Sequence, residues 1–234
     1  MLRADYSPAQ VVGWFARFEM LTISHETIYR HIWQDKKAGG TLHVHLRRAN
    51  KRFRKRYGTY DSRGRLAGKR HISTRPAGAA NRSRIGHWEV DTVLGDSQGG
   101  ACIVTLVERK TGFVVIGKLQ RRATADLNAR LELLVRRQPH VVRTITADNG
   151  TEFHSDKALE ARVPLTFYFA TPHHSWERGS NENMNGLIRQ YLPKGVSMQH
   201  LTQADCDRIA EKLNRRPRKR FNWQTPEELY ATRR

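Results

Sequence analysis

The feature that most constrains this fold is an alternation of short apolar strands and amphipathic helices that begins after Ile85. The segments are strands at 87–94, 101–109 and 112–119, a helix at 123–138, a strand at 141–146 leading into Asp148, a helix at 155–161 and a strand at 163–170. Thr111-Gly112 suits a hairpin turn between the second and third strands. The order βββαβαβ predicts an α/β fold, with a mixed five-stranded sheet flanked by helices.

One further helix follows these strands and has two different faces. Its apolar face consists of Met184, Leu187, Ile188 and Tyr191 at helical spacing. A second stripe, predicted to face away from the core, consists of Arg178, Glu182, Asn185 and Arg189. For a helix taken alone, that stripe is typical of a solvated ion-pair face. Arg178, Asn185 and Arg189 are also candidates for DNA contacts beside Glu182.

Three carboxylates are predicted to converge at one end of the sheet. Asp91 interrupts the first strand, Asp148 ends the fourth, and Glu182 lies on the later helix. Mg²⁺ prefers oxygen ligands, and two such ions activate an attacking hydroxyl and stabilise the leaving oxygen at a phosphodiester. Glu89 and Glu152 lie beside two of these positions, as competing ligands, as residues supporting them, or as surface residues.

The composition indicates a polyanionic partner. Lys and Arg number 42 against 22 Asp and Glu, which gives a net charge of +20 and a pI near 10.8. A ribosomal or membrane-surface protein could carry this charge, but 38% hydrophobic residues and five Trp suit an enzyme-sized core. Without a membrane span or signal peptide, we expect a soluble, cytoplasmic protein. Cys102 and Cys206 are predicted to be reduced and buried.

Residues 1–46 resemble a helix-turn-helix, with two short helices around a tight connection. Ser7 and Ser24 are the predicted N-caps, and Pro8 is at the first helical position. The second helix would place Thr27 or Arg30, with His25 and His31 as further candidates, toward DNA. An ordinary helical hairpin without DNA contact fits the pattern equally well.

A basic arm or linker is predicted over 47–84. Between Arg47 and Arg70, eleven Lys and Arg stand against the single acid Asp61. Phosphate contacts are expected from Arg52, Arg54, Lys55 and Arg56. The alternative is a solvated linker. The remaining residues, 85–234, form the predicted catalytic domain, whose basic tail offers Arg218 and Lys219 to DNA.

Five motifs together resemble the catalytic region of insertion-sequence transposases of the IS-thirty family, in the DDE superfamily. They are IGHWEVDTVLG, CIVTLVERKTGFVVIGKL, TITADNGTEFH, ERGSNENMNGLIRQYLPKG and LNRRPRKRFNWQTPEELY. The likeness runs from Ile85 to the C-terminus. Thirty-three residues lie between Asp148 and Glu182, the interval of that family.

The resemblance implies a ribonuclease H-like fold and a catalytic triad of Asp91, Asp148 and Glu182 holding two Mg²⁺ ions, with Mn²⁺ as an alternative. It implies cleavage at terminal inverted repeats and attack of the freed 3′-hydroxyl on a second phosphodiester. The partners would be double-stranded DNA, at the element ends and target, and further copies of the chain that pair the ends. The setting would be a prokaryotic cytoplasm, at the nucleoid.

Two other functions stay open. Relatives carry a longer N-terminal region, so the DNA-binding segment is expected to be truncated and the chain could be a catalytically silent regulator of transposition. A metal-dependent nuclease of the same fold is the other alternative. A recombinase with a covalent Ser or Tyr is disfavoured, because neither residue type occurs in a recognisable activating arrangement.

Overall fold

The computed structural model describes residues 1–47, 68–96, 100–172, 174, 177 and 179–232. Its helices are α1 (Pro8–Arg17), α2 (His25–Lys37), α3 (Ala77–Ala80), α4 (Thr124–Arg136), α5 (Asp156–Glu160), α6 (Gly179–Ile188), α7 (Gln203–Asn214) and α8 (Pro226–Ala231). Its strands are β1 (His87–Leu94), β2 (Cys102–Glu108), β3 (Val114–Leu119), β4 (Thr144–Ala147) and β5 (Thr166–Phe169). None of the described helices is both long and apolar enough to cross a bilayer.

The chain forms two compact units. The larger comprises Tyr60–Leu213, and the smaller combines Met1–Thr59 with Asn214–Arg234. This grouping differs from the predicted division, which placed the C-terminal segment in the catalytic domain. Sequence could not reveal the difference, because contacts between the two ends of a chain leave no local pattern.

The larger unit is built on a single mixed sheet of five strands in the order β3-β2-β1-β4-β5. β1 pairs with β2, and β2 with β3, in antiparallel fashion. On its other side β1 pairs with β4 in parallel, and β4 pairs with β5 in parallel. The predicted mixed five-stranded sheet is confirmed, and β1 lies at its centre.

The β2–β3 hairpin is closed by a buried carboxylate. Glu108 accepts hydrogen bonds from the Thr111 backbone N–H and hydroxyl, both at 2.7 Å. Gly112 follows with φ 71°, a left-handed conformation that glycine adopts without steric cost. The predicted Thr-Gly turn is therefore confirmed, and its stability depends on the buried acid as well as on the glycine.

Helices cover both faces of the sheet. On one face, the buried side chains of α6 and α7 join those of β1, β2 and β3 in one core, including Met184, Leu187 and Leu213. On the other face, α4 packs against β3, where its Arg130 side chain lies directly over Gly117. A β-carbon at Gly117 would meet the Arg130 Cγ at 2.6 Å, so the close approach requires glycine.

The edge strand β5 is partly covered by the end of the predicted linker. The Phe169 N–H donates to the Arg70 carbonyl at 2.8 Å, and His71 forms an isolated parallel bridge with Phe169. A 3-10 turn at Ile72–Thr74 and α3 then lead back to β1. Arg70 and His71 thus pair with backbone of β5 that an edge strand otherwise leaves unpaired.

The smaller unit contains the two predicted N-terminal helices. The Ser7 side chain caps α1 in a capping box with Gln10, and the Ser24 side chain accepts from the Thr27 N–H at the start of α2. Val11, Ile28 and Ile32 form their buried core. The predicted caps at both helices are confirmed.

The C-terminal segment packs against α1 within this smaller unit. The Tyr6 hydroxyl donates to the Arg215 carbonyl at 2.7 Å, and Arg17 forms an ion pair with Glu228 at 2.8 Å. The Trp223 ring lies over Gly13, where any β-carbon would overlap the ring. The first helix and the last segment of the chain therefore form one structural unit.

We expect His87 to make stability depend on pH. His87 is 3% exposed and shares a 2.8 Å hydrogen bond with the Thr144 hydroxyl. Burial, reinforced by nearby arginines, lowers the pKa of His87 to about 4. The unfolded chain takes up this proton near pH 6.5 and the folded chain resists it, so stability falls as pH drops from 6.5 toward 4. The loss for this group is at most about 3 kcal/mol.

Urea unfolding between pH 7.5 and 4.5 checks this. His87→Gln should show a shallower fall in unfolding free energy than the wild type, whereas His154→Gln, at an exposed position, should not. Parallel pH profiles for the wild type and His87→Gln would contradict the assignment.

Candidate active site

Two of the three predicted carboxylates lie at the same end of neighbouring parallel strands. The register pairs Glu89 of β1 with Thr146 of β4. Two residues further on, β1 reaches Asp91 and the chain after β4 reaches Asp148. Because paired strands lie about 4.8 Å apart, this register brings Asp91 and Asp148 to neighbouring positions at one end of the sheet.

Asp91 is half-buried, and both of its carboxylate oxygens accept hydrogen bonds. Oδ1 accepts from the Thr92 N–H at 2.9 Å, and Oδ2 accepts from the Asn185 side chain on α6 at 2.7 Å. The helix that carries Glu182 is therefore tied directly to the Asp91 carboxylate. These bonds orient a charged group that would otherwise rotate freely at the end of its side chain.

Asp148 begins the turn that leaves β4. Its Oδ1 accepts from the Gly150 N–H at 2.9 Å, and the Asn149 side chain donates to the Ala170 carbonyl at 2.8 Å. Gly150 has an ordinary φ of −62°, so its conformation does not require glycine. A β-carbon there would lie 2.5 Å from Glu152 Oε2 and 2.9 Å from Asp148 Oδ1, so a larger residue would displace these two carboxylates.

Glu152 is a fourth acid beside this turn, and it is buried. Its Oε1 accepts from the Thr92 hydroxyl at 2.9 Å and forms an ion pair with Arg122. Its Oε2 is buried and has no hydrogen-bond partner among the described residues. Thr92 follows Asp91 directly, so Glu152 connects the strand bearing Asp91 to the turn bearing Asp148.

Glu182 lies in the first turns of α6 and is exposed. The helix buries Met184, Leu187 and Ile188 against the sheet. The predicted outward orientation of Glu182 is thus confirmed. Asn185 departs from the predicted outward stripe, since it is half-buried and donates to Asp91.

The donor chemistry of this site fits a hard divalent cation, because carboxylate oxygens are the ligands that Mg²⁺ prefers. The Glu152 carboxylate is paired with Arg122 through Oε1, but its buried Oε2 has no hydrogen-bond donor among the described residues and lies near the Gly150 turn that Asp148 begins. Within the described residues, however, no group of three His, Cys, Asp or Glu side chains is close enough to hold one ion. The triad as a set of metal ligands therefore stays a prediction.

Comparisons with known proteins place the chain in a family. It is 41% identical over 230 residues to the transposase for insertion sequence element IS4351 of Bacteroides fragilis, covering 98% of this chain and 70% of that protein. The chain belongs to the IS30 family of transposases. It is also 34% identical over 238 residues to the transposase InsI for element IS30A of Escherichia coli, covering 97% of this chain and 62% of that relative. No family model matches.

Two solved structures are similar to this chain, and one of them has a TM-score above 0.5. A chain in the cryo-EM structure of the simian T-cell lymphotropic virus intasome in complex with PP2A regulatory subunit B56 gamma matches with a TM-score of 0.52 and 13% identity, over 63% of this chain and 55% of that one. The catalytic core domain of BIV integrase matches with a TM-score of 0.48 and 20% identity, over 62% of this chain and 93% of that one. The fold of this transposase is ribonuclease H-like, as the motifs implied.

The predicted DNA contacts of the transposase fall into three groups. Thr27 and Arg30 on α2, and Lys219, are exposed, while Arg218 is half-buried. Asn185 and Arg189 have partners within the chain: Arg189 donates to the Leu94 carbonyl at 2.8 Å. Arg52, Arg54, Lys55, Arg56 and Arg178 lie outside the described residues. All of these assignments stay predictions.

Sequence reasoning missed several residues that organise the site. Thr92 and Arg122 both hold Glu152, and no spacing rule links positions that are thirty or sixty residues apart. Thr92 carried one usable signal, since a threonine next to an aspartate in a strand is polar where an apolar residue is expected. The two predicted buried thiols are confirmed, and burial raises the pKa of Cys206 to about 12.

We expect Arg122→Met to destabilise the transposase by leaving Glu152 buried without its ion-pair partner. The free energy of unfolding should fall by about 1–3 kcal/mol, because the buried Glu152 carboxylate would lose a hydrogen-bond donor without regaining contact with water. Adding Glu152→Gln should recover part of that loss, so the two changes should be non-additive in a double-mutant cycle of urea unfolding. Arg121→Met removes an exposed ion pair with Asp126 and should change stability by less than about 1 kcal/mol. Additive losses for Arg122 and Glu152 would contradict the coupling.

Proposed function

We propose that this chain cleaves DNA strands at the ends of an insertion sequence and joins the freed 3′-hydroxyl to a second phosphodiester, using Asp91, Asp148 and Glu182. The observation that carries the proposal is that Asp91 and Asp148 each lie two residues beyond the last parallel pair of β1 and β4, with the Glu182 helix hydrogen-bonded to Asp91. The 41% identity to a named insertion-sequence transposase supports the same chemistry.

Each residue has a distinct task in this proposal. Asp91 and Asp148 are the fixed ligands, since their carboxylates are oriented by hydrogen bonds from Thr92, Asn185 and Gly150. Glu182 is exposed on α6 and completes the site as DNA binds. Two Mg²⁺ or Mn²⁺ ions held there would supply activation of the attacking hydroxyl and charge stabilisation at the leaving oxygen. The protein contributes orientation and no covalent nucleophile.

DNA is the proposed partner at two levels. The net charge of +20 draws in the duplex without regard to its sequence. Exposed residues of α2, in a unit that also contains the basic C-terminal segment, would contact a groove or the backbone. Pairing of two element ends would require at least two copies of the chain.

Nicking of a labelled duplex that carries the element's terminal repeat, in Mg²⁺, tests this proposal. Asp148→Asn and Glu182→Gln should each abolish nicking, while the dissociation constant for DNA stays within a few-fold, because they remove metal ligands rather than phosphate contacts. Asp126→Asn, at a carboxylate on α4 that pairs with Arg121, is the matched control and should nick normally. Undiminished nicking by Asp148→Asn would remove that residue from the triad.

A second function has one observation in its favour. Among the described residues, no three His, Cys, Asp or Glu side chains lie close enough together to hold one ion, and a DNA-binding regulator without activity would not need such a group. Tight binding of the terminal repeat with no nicking by the wild-type chain, in Mg²⁺ and in Mn²⁺, would support that function and contradict the first.

We further expect the basic arm to carry much of the electrostatic attraction to DNA. Replacing Arg52, Arg54 and Arg56 with Gln should weaken binding at all sequences and reduce the slope of log K against log salt by up to about 3. Replacing the surface arginines Arg121, Arg136 and Arg137 removes the same charge from the α4 region and should change the slope less. Equal slopes for the arm variant and the wild type would show that the arm is only a linker.

A further inference from the structure

A buried acid on the central strand contacts the beginning of the helix that carries Glu182. Glu89 is completely buried in β1. Its Oε2 accepts a hydrogen bond from the Asn181 backbone N–H at 3.1 Å. Asn181 is the third residue of α6, and the N–H groups of a helix's first turn have no acceptor within the helix. Glu89 therefore supplies from the sheet an acceptor that the helix lacks.

The other oxygen of Glu89 is held by a buried arginine. Arg109 forms an ion pair with Oε1, and its Nε donates to the Ala79 carbonyl at 2.8 Å. Burial lowers the pKa of the Arg109 guanidinium, and the Glu89 carboxylate opposes that shift. The Glu89 carboxylate thus lies at the N-terminus of α6, where the helix dipole stabilises negative charge.

A second tie joins the same strand to the same helix. Asn185 donates to Asp91 at 2.7 Å, four residues after Asn181 on the helix and two residues after Glu89 on the strand. Four helical residues rise about 6 Å, and two strand residues span about 6.6 Å. The two hydrogen bonds match in spacing, so together they fix both the direction and the register of α6 along β1.

From this geometry we propose that Glu89 is a positioning residue, which sets the place of Glu182 by fixing the register of α6 against β1. Glu182 follows Asn181 directly and lies between the two tied positions. Loss of the Glu89 tie would free the first turn of α6, and Glu182 with it, while the apolar contacts of Met184, Leu187 and Ile188 hold the rest of the helix. The functional part of this proposal rests on the proposed role of Glu182.

The variant that tests it is Glu89→Gln. The Glu89 carboxylate accepts from Arg109 and Asn181 with separate oxygens. A glutamine amide has one acceptor oxygen, so it must leave one of these two donors without an acceptor. Glu108→Gln is the matched control. Glu108 is equally buried, on the adjacent strand, but it holds the β2–β3 turn and not α6.

Hydrogen exchange of the full-length chain gives the direct readout. In Glu89→Gln, amides at the start of α6 should exchange at least about tenfold faster than in the wild type, while those of α7 and β2 stay unchanged. Glu108→Gln should not change exchange in α6. Exchange in α6 that is unaltered by Glu89→Gln would overturn the proposal. Uniformly faster exchange across the sheet would also overturn it, since that pattern indicates only lost stability.

Mn²⁺ binding links the helix position to Glu182. Titration with Mn²⁺ alone should show weaker binding in Glu89→Gln and in Glu182→Gln, and the double variant should bind no more weakly than Glu182→Gln. Independent, additive losses would show that Glu89 does not act through Glu182. If Glu182→Gln itself binds Mn²⁺ and nicks DNA as the wild type does, the proposed function is wrong. Hydrogen exchange in α6 still tests separately whether Glu89 fixes the position of that helix.

A second variant keeps the test decisive if Glu89→Gln does not fold. Replacing Glu89 and Arg109 together with Met removes the acceptor without leaving a buried charge, and such exchanges of buried ion pairs are often tolerated. This double variant should fold, show the same faster exchange at the start of α6 and bind Mn²⁺ as weakly as Glu182→Gln. Normal exchange and normal Mn²⁺ binding in it would overturn the proposal.

Discussion

The parallel pairing of β1 with β4 is the constraint on which the rest of the site depends. It joins segments more than fifty residues apart and puts Asp91 and Asp148 at the same end of the sheet. Parallel strands require a long crossover connection, and here that connection includes β2, β3 and α4. The antiparallel hairpin β2–β3 lies on the other side of β1 and leaves the carboxyl end of β1 open toward β4 and α6.

Three buried carboxylates lie on and around the central strand β1. Glu89 and Glu108 are completely buried, and Glu152 is nearly so. Burial of a carboxylate is strongly unfavourable unless its oxygens are hydrogen-bonded or paired. Glu89 and Glu108 meet that requirement with both oxygens, and Glu152 meets it through Oε1; the contacts join Glu89 to α6, Glu108 to the β2–β3 turn, and Glu152 to Thr92. The buried acids thus act as connections between segments around the candidate site.

Much of the architecture was predictable from sequence for identifiable reasons. β1 begins and ends at the predicted residues, His87 and Leu94, because aromatic and β-branched residues recur along this segment and a glycine follows it. The caps of α1, α2 and α8 were predictable because a Ser or Thr side chain bonds a backbone N–H only two or three residues away. Strand β4 is shorter than predicted, Thr144–Ala147, because apolar character continues beyond the residues that pair with β1 and β5.

The sequence by itself determined the element order, the helix caps, the basic character and the three acids at their spacing. Each of these depends on residues that are close in the chain or on overall composition. Only the tertiary structure decided that Asn185 turns inward to Asp91, that Glu89 contacts α6, and that the C-terminal segment packs on α1. The physical reason is the same in each case. These contacts join residues that are distant in the chain. Which side chains become partners depends on which elements pack together, and a local sequence pattern does not predict that packing.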